Sequence, residues 1–210
     1  KADWVINRNW GVSCTVPLKE AARLGFPREK ILGVWWCGSE EDELPAGPAA
    51  KGYRTTAFHG AGRDFPIVKE CIDKVYGAMK GNISFTRVGS VYWSRGFVYA
   101  LVDHEAILTA QKKFGVKVLT GEEFRWGMEN LNITAERIKE IGAEGLMQPV
   151  KNTWEDHEGG GMVFIQQWDG QKWVMTGDVI SPMKEFVRGM IEESAAKYAK
   201  EKGITPRTAP

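Results

Sequence analysis

The stretch DWVINRNWGVSCTVPLKEAARLGFPREKILGVWWCGSEED, residues 3–42, decides the fold. Trp4-Val5-Ile6 is a short apolar run that spells a strand, and Asn9-Trp10-Gly11 breaks it. From Val12 to Leu24 the spacing of Leu18, Ala21 and Ala22 is helical, with Gly25 placed as a C-cap. Lys30 to Trp36 predicts a second strand, which runs into the polar turn Cys37-Gly38-Ser39-Glu40-Glu41-Asp42. A strand, helix and strand joined in this way return the two strands parallel and side by side, with a right-handed crossover. Both tryptophan-bearing turns then lie at one end of the sheet, outside the carboxyl ends of the strands, where open α/β sheets bind ligands. Trp10, Trp36 and Glu40 are thereby placed at a cleft edge.

Working outward, Gly52 to Phe58 predicts a third strand, with Tyr53, Thr55 and Ala57 on one face and Arg54 and Thr56 on the other. His59-Gly60-Ala61-Gly62 is a flexible turn. Asp64 is expected to cap a helix with Val68, Cys71, Ile72, Val75 and Met79 on one face. A polar, glycine-containing stretch from Gly77 to Gly89 follows. Ser90 to Phe114 predicts a long helix whose apolar positions exceed one face, so it is expected to be buried on more than one side. Thr120 and Glu123 form a capping box for a helix ending near Leu131, and Thr134 opens another that stops at Gly142. Farther on, Met162 to Gln167 and Lys172 to Ile180 read as strands joined through Asp169-Gly170. Ser181-Pro182 is expected to open a terminal helix with Phe186, Val187, Met190, Ile191, Ala195 and Tyr198 in one apolar stripe.

Composition narrows the function. No apolar run among the 210 residues approaches the roughly 18 needed for a membrane span. A net charge of +1 with dispersed lysines and arginines gives no basic stripe, which argues against a nucleic-acid partner. Nine tryptophans are many for this length, and core filling is expected for Trp4, Trp126 and Trp173. The three cysteines form no CxxC pair and no zinc spacing. A bridge between Cys14 and Cys37 is geometrically conceivable, since they follow neighbouring strands. It is not expected, because Cys14 belongs to the first helical turn and should point inward.

Catalytic patterns are thin. Gly60-Ala61-Gly62 and Gly159-Gly160-Gly161 lack the lysine and hydroxyl residue of a phosphate loop, and Gly38-Ser39-Glu40 lacks the second glycine of a nucleophile elbow. Asp103-His104-Glu105 and Asp156-His157-Glu158 resemble metal clusters only superficially, because consecutive side chains diverge. His104 is expected to be a solvated helix residue and His157 to make a local hydrogen bond. No enzyme and no cofactor is expected.

The order of elements, with the words DWVINRNWGVSCTVPLKEAARLG, ILGVWWCGSEED, AGPAAKGY, VYWSRGFVYALVDHEAILTAQKKFG and WEDHEGGGMVFIQQWDGQKWV, resembles the C-terminal half of a type I solute-binding protein of the branched-chain amino acid class. Such proteins capture ligands for ABC importers between two α/β lobes joined by three crossovers. The resemblance implies an α/β chain with residues 1–82 as the parallel second-lobe portion, 83–150 as a helical return into the first lobe, and 151–210 as crossover, β-hairpin and terminal helix. Gly81 to Gly89 and Pro149 to Gly161 would be the second and third crossovers. The first lobe's sheet would lie outside this chain. The helices from Ser90 to Met147 would then expose apolar faces that need covering, by the missing N-terminal portion or by a second copy.

A solute site needs apolar walls and a few placed polar groups. Trp10 and Trp36 are expected to sandwich an apolar body, Asn9 and Ser39 to offer hydrogen bonds, Glu40 to face a ligand ammonium, and Tyr92 and Trp93 to add lining. The resemblance implies that the turns at Asn9-Trp10-Gly11 and Trp36-Cys37-Gly38-Ser39 carry ligand contacts. The family's amino-acid binders hold an acid close to the place of Trp36. Trp36 there widens the expectation to an aromatic acid, an amide or another small carboxylate. The implied partners are a small-molecule solute and membrane permease subunits, and the implied location is the periplasm. A ligand-sensing domain of a receptor or regulator on the same lobes is the alternative.

Overall fold

The computed structural model describes residues 2–207. Its main sheet has five strands, in the spatial order Val5–Asn7, Ile31–Gly33, Arg54–Ala57, Phe164–Trp168 and Trp173–Met175. β1 (Val5–Asn7), β2 (Ile31–Gly33) and β3 (Arg54–Ala57) run parallel, with Val5 opposite Ile31 and Leu32 opposite Arg54. α1 (Val12–Arg23) makes the crossover and buries Cys14 and Leu18 against Ile31, Tyr53 and Trp168.

Two differences from the sequence reading concern this unit. Trp4 is 60% exposed instead of filling the core. β1 is an edge strand, and alternation puts Trp4 on the same face as the exposed Ile6 while Asn7 turns inward. β2 is shorter than Lys30 to Trp36. Its ladder ends as the Val34 amide donates to the Asn7 carbonyl at 3.1 Å, and Trp35–Cys37 form a tight helical turn. The polar turn beyond it winds into the short α2 (Glu40–Glu43). The buried tryptophan is Trp168, 1% exposed, with Trp173 tilted against it at 5.5 Å.

A second core lies among helices. α3 (Pro66–Cys71) continues into a wider π-type turn over Ile72–Tyr76. α4 (Val91–Phe114), α5 (Gly121–Glu129) and α6 (Ala135–Glu140) follow. Val68, Val98, Ala106, Leu131, Ile138 and Leu146 pack together. α3 therefore sits with the helices and not with the strands of residues 1–82. Asp64 does not cap it: Phe65 holds the cap position, with Pro66 as the first helical residue. Its expected apolar face stops early, since Val75 and Met79 are exposed. The caps at Thr120 and Thr134 form as read. The Ser90 side chain accepts from the Trp93 amide, and Thr120 and Glu123 make the reciprocal capping box. Arg137 of α6 clasps Glu105 of α4 with two hydrogen bonds of 3.0 and 2.8 Å.

Two chain segments join the sheet to the helices. Phe58 to Arg63 leaves β3, and the segment after Leu146 returns to β6 (Phe164–Trp168). They run side by side, with His59 bridged to Met147 and the Gly60 amide donating to the Leu146 carbonyl at 2.8 Å. A two-stranded ribbon of β4 (Asn132–Ile133) and β5 (Val150–Lys151) braces the return. β6 pairs antiparallel with β3 and with β7 (Trp173–Met175). Their hairpin turns on Asp169, whose carboxylate accepts from the amides of Gln171 and Lys172 at 2.7 and 2.8 Å.

α7 (Lys184–Lys202) begins after Met183 and not at Ser181-Pro182. Its apolar side chains are uncovered among the described residues, with Phe186 72% and Met190 65% exposed. Polar contacts hold its first turn: Lys184 donates to Asp156 at 2.6 Å and to the Gly159 carbonyl at 2.8 Å. The uncovered apolar surface expected on the helical block thus lies more on α7, because α3 closes much of the block's core.

Candidate functional site

Each parallel strand delivers an aromatic side chain past its carboxyl end: Trp10 after β1, Trp35 and Trp36 after β2, Phe58 after β3. Their rings form a chain. Trp10 meets Trp36 edge-on at 6.3 Å, Trp36 lies 5.1 Å from Trp35, and Trp35 meets Phe58 edge-on at 6.1 Å. Trp10 is 71% exposed and Trp36 37%, so this ledge faces outward. Stacking surface of this kind suits an apolar or aromatic ligand body.

Cys14 and Cys37 are bonded to each other beneath the ledge, with Cα atoms 5.4 Å apart. The bridge was not expected from sequence, and the physical reason is simple. Cys14 does point inward, and inward is where the parallel neighbour's turn places Cys37; both are fully buried. Cys71 remains free.

The other sequence candidates divide. Asn9 donates to Asn7 at 2.7 Å, and the buried Asn7 donates to the Tyr53 hydroxyl at 3.2 Å. Ser39 is fully buried and donates to Asp42 at 2.8 Å; the Tyr92 hydroxyl donates to the same carboxylate oxygen at 3.2 Å. The Glu40 carboxylate accepts from the Val91 amide at 3.0 Å. Burial pushes the carboxyls of Glu40 and Asp42 above the ordinary range. Trp93 stacks on Phe97 at 5.0 Å in the helical core, away from the ledge. The structure thus brings Trp10 to Trp36, gathers Ser39 and Tyr92 around Asp42, and sets Glu40 at the start of α4.

Sequence reasoning missed four neighbours: Trp35, Phe58, His59 and Arg95. Trp35 and Phe58 line a crevice of about 470 Å³ together with Val98 and Tyr99 of α4 and Met147 of the returning segment. Arg95 stands one helical turn before Val98. It donates from Nε to His59 Nε2 at 3.2 Å and from Nη2 to the Trp35 carbonyl at 3.1 Å. Its guanidinium lies over Phe58 at 5.3 Å and Tyr92 at 5.4 Å. His59 is buried, and burial together with the charge of Arg95 holds its imidazole down to about 4, against the opposing hydrogen bond to Gly60. It is therefore neutral, with the proton on Nδ1 given to the Gly60 carbonyl at 2.8 Å and Nε2 left to accept from Arg95. The available signal for Arg95 was its isolation: no other Lys or Arg occurs between Val91 and Gln111.

Among the described residues no three His, Cys, Asp or Glu side chains converge as a metal site, and no helix is long and apolar enough to cross a membrane. His157 lies 3.5 Å from Glu129, and His104 lies 3.6 Å from Glu105.

No protein-family model matches the chain, and no curated protein sequence matches it. Solved structures do. One from the Pseudomonas fluorescens group, described as an ABC transporter permease, is 47% identical with a TM-score of 0.94, over 99% of this chain and 50% of its own. A branched-chain amino acid ABC transporter protein from Thermus thermophilus with bound valine is 20% identical with a TM-score of 0.67, over 90% and 48%. A solute-binding protein of an ABC transporter from R. palustris in complex with benzoate is 18% identical with a TM-score of 0.56, over 86% and 45%. These are transport proteins, not enzymes. The chain spans about half the length of the structures it matches, and over that half it carries the fold of the type I solute-binding proteins of ABC transporters.

Proposed function

We propose that this chain is part of the solute-binding component of an ABC importer, and that the aromatic ledge at the carboxyl ends of β1, β2 and β3 is one wall of its ligand cleft. The observation that carries the reading is the ring chain from Trp10 through Trp36 and Trp35 to Phe58. Asn9 and Tyr92 stand beside it as polar lining, while Ser39 and Glu40 support the wall through Asp42 and the start of α4, and Trp93 belongs to the helical core. The ligands named for the solved relatives, valine and benzoate, are both small carboxylates, which supports a small amino acid, aromatic acid or related carboxylate as the solute. The rest of a two-lobe protein supplies the opposite wall and covers the apolar face of α7; permease subunits receive the closed form. The buried Cys14–Cys37 bridge suits an oxidising compartment such as the periplasm.

Replacing Trp36 with Ala in the full-length protein is expected to weaken solute binding by about 1 kcal/mol or more, the scale of a lost aromatic contact. Titration calorimetry with the solute that copurifies measures it. A folded variant with unchanged affinity would reject the ledge as a ligand wall.

A further inference from the structure

At the carboxyl ends of the strands Glu40 and Asp42 are hydrogen-bonded, whereas the cation there, Arg95, has no ion-pair partner among the described residues. Glu40 accepts from Val91, Asp42 accepts from Ser39 and Tyr92, and Glu43 is wholly buried. Arg95 makes no ion pair among the described residues; both of its hydrogen-bond acceptors, His59 and the Trp35 carbonyl, are neutral. Burial is the largest influence on its charged form and works against it, with the charge of Asp42 acting the other way at a distance, so a half-buried guanidinium with no ion-pair partner is a cost to the protein by itself. Nη1 has no protein acceptor among the described residues, yet it is not sealed from solvent.

The geometry around it is fixed. Residues three, four and seven apart share a helix face, so Arg95 lies in line with Val98, Tyr99 and Val102, which line the crevice with Trp35 and Phe58. Two acceptors hold the fork, and two aromatic rings flank it. With Nε and Nη2 engaged, the free Nη1 of a guanidinium so held favours the negative charge of a carboxylate over a neutral amide, and it repels an ammonium. Resting on the solute-capture reading above, we infer that Arg95 recognises the carboxylate of an apolar or aromatic monocarboxylate that carries no ammonium group, with its apolar body in the crevice beside Trp35 and Phe58. His59 is the positioning residue that aims the guanidinium.

The test uses the full-length protein and five probes: benzoate, benzamide, isovalerate, isovaleramide and valine. Binding is followed by calorimetry and tryptophan fluorescence. At least one acid is expected to bind about tenfold or more tightly than its amide, and isovalerate more tightly than valine, the scale of a hydrogen bond to a charged group. Arg95→Gln should abolish the preference for acid over amide, and Arg95→Lys should keep part of it; thermal melting confirms that both variants fold. Equal binding of acid and amide, a preference that survives Arg95→Gln, or tighter binding of valine overturns the assignment. If solute capture still depends on Trp36 in that case, only the role of Arg95 falls. Binding of none of the five probes overturns the assignment, and if Trp36→Ala also leaves capture unchanged, the ledge falls with it.

Discussion

The Glu40 carboxylate accepts a hydrogen bond from the Val91 amide at 3.0 Å, across 51 residues of sequence. Val91 opens α4, and its amide is one of the four that a helix N-terminus leaves without an intrahelical partner. Glu40 is thus a cap supplied from the sheet unit to the helical unit, and its negative charge also suits the positive end of the helix dipole. Glu40→Ala is expected to destabilise the protein by about 1 kcal/mol, the typical cost of a lost cap, and Glu40→Gln by less because it keeps an acceptor. Denaturant unfolding measures both. A Glu40→Gln variant of wild-type stability that selectively lost amino-acid ligands would return Glu40 to the ligand.

The Cys14–Cys37 bridge closes a loop with a sequence separation of 23. Cross-linking a loop of that length stabilises by about 3 kcal/mol through the unfolded chain. Replacing both cysteines with Ala, or reducing the native protein, is therefore expected to lower the unfolding free energy by about that amount. Equal denaturation midpoints with and without reductant would show that the bridge contributes nothing.

Glu43 is fully buried, and neither carboxylate oxygen has a hydrogen-bond partner. Burial, then the neighbouring charge of Asp42, pushes its carboxyl up to about 9 from 4.5. A raised carboxyl holds a proton in the folded state that the unfolded chain has released, so its contribution is fully present below pH 4.5 and is lost as pH rises toward about 9. The slope has a ceiling of about 1.4 kcal/mol per pH unit for one proton. Glu40 and Asp42 shift in the same direction and add to the trend. Melting temperatures from pH 5 to 9 should fall in the wild type and fall less in Glu43→Gln. A Gln variant that tracks the wild type across that range would place the proton elsewhere.

What the sequence disclosed follows from how local each signal is. Ser90 and Phe114 bracketed α4 within a residue, and Thr120, Glu123 and Asp169 marked their turns, because a cap or hairpin is written in a few adjacent side chains. Periodicity marked the stretch holding Phe186, Met190 and Ile191 as helical, yet it carries no information about what covers those side chains. Trp4 was misread for the same reason: an apolar strand residue is buried only if the sheet has a neighbour on that side. β4 and β5 have two residues each, too few for an alternation to register. Within the candidate site, Trp10 and Trp36 were legible because they sit in turns after parallel strands. Arg95 was not, since its partners lie 36 and 60 residues away.

The bridge beneath the ledge has one more consequence. Trp10 belongs to the turn that leads into Cys14, and Trp36 adjoins Cys37, so the covalent link fastens both rings to one rigid frame before any solute arrives. Immobilising a mobile side chain or loop at the moment of association costs about 0.5–1.5 kcal/mol per side chain. With the two turns already locked together, that ordering is completed once, during oxidative folding, and does not recur at each encounter. In the cleft proposed above, a solute settling on Trp10 and Trp36 would then dissociate at a rate set by its own contacts and not by the fluctuations of the surface beneath it.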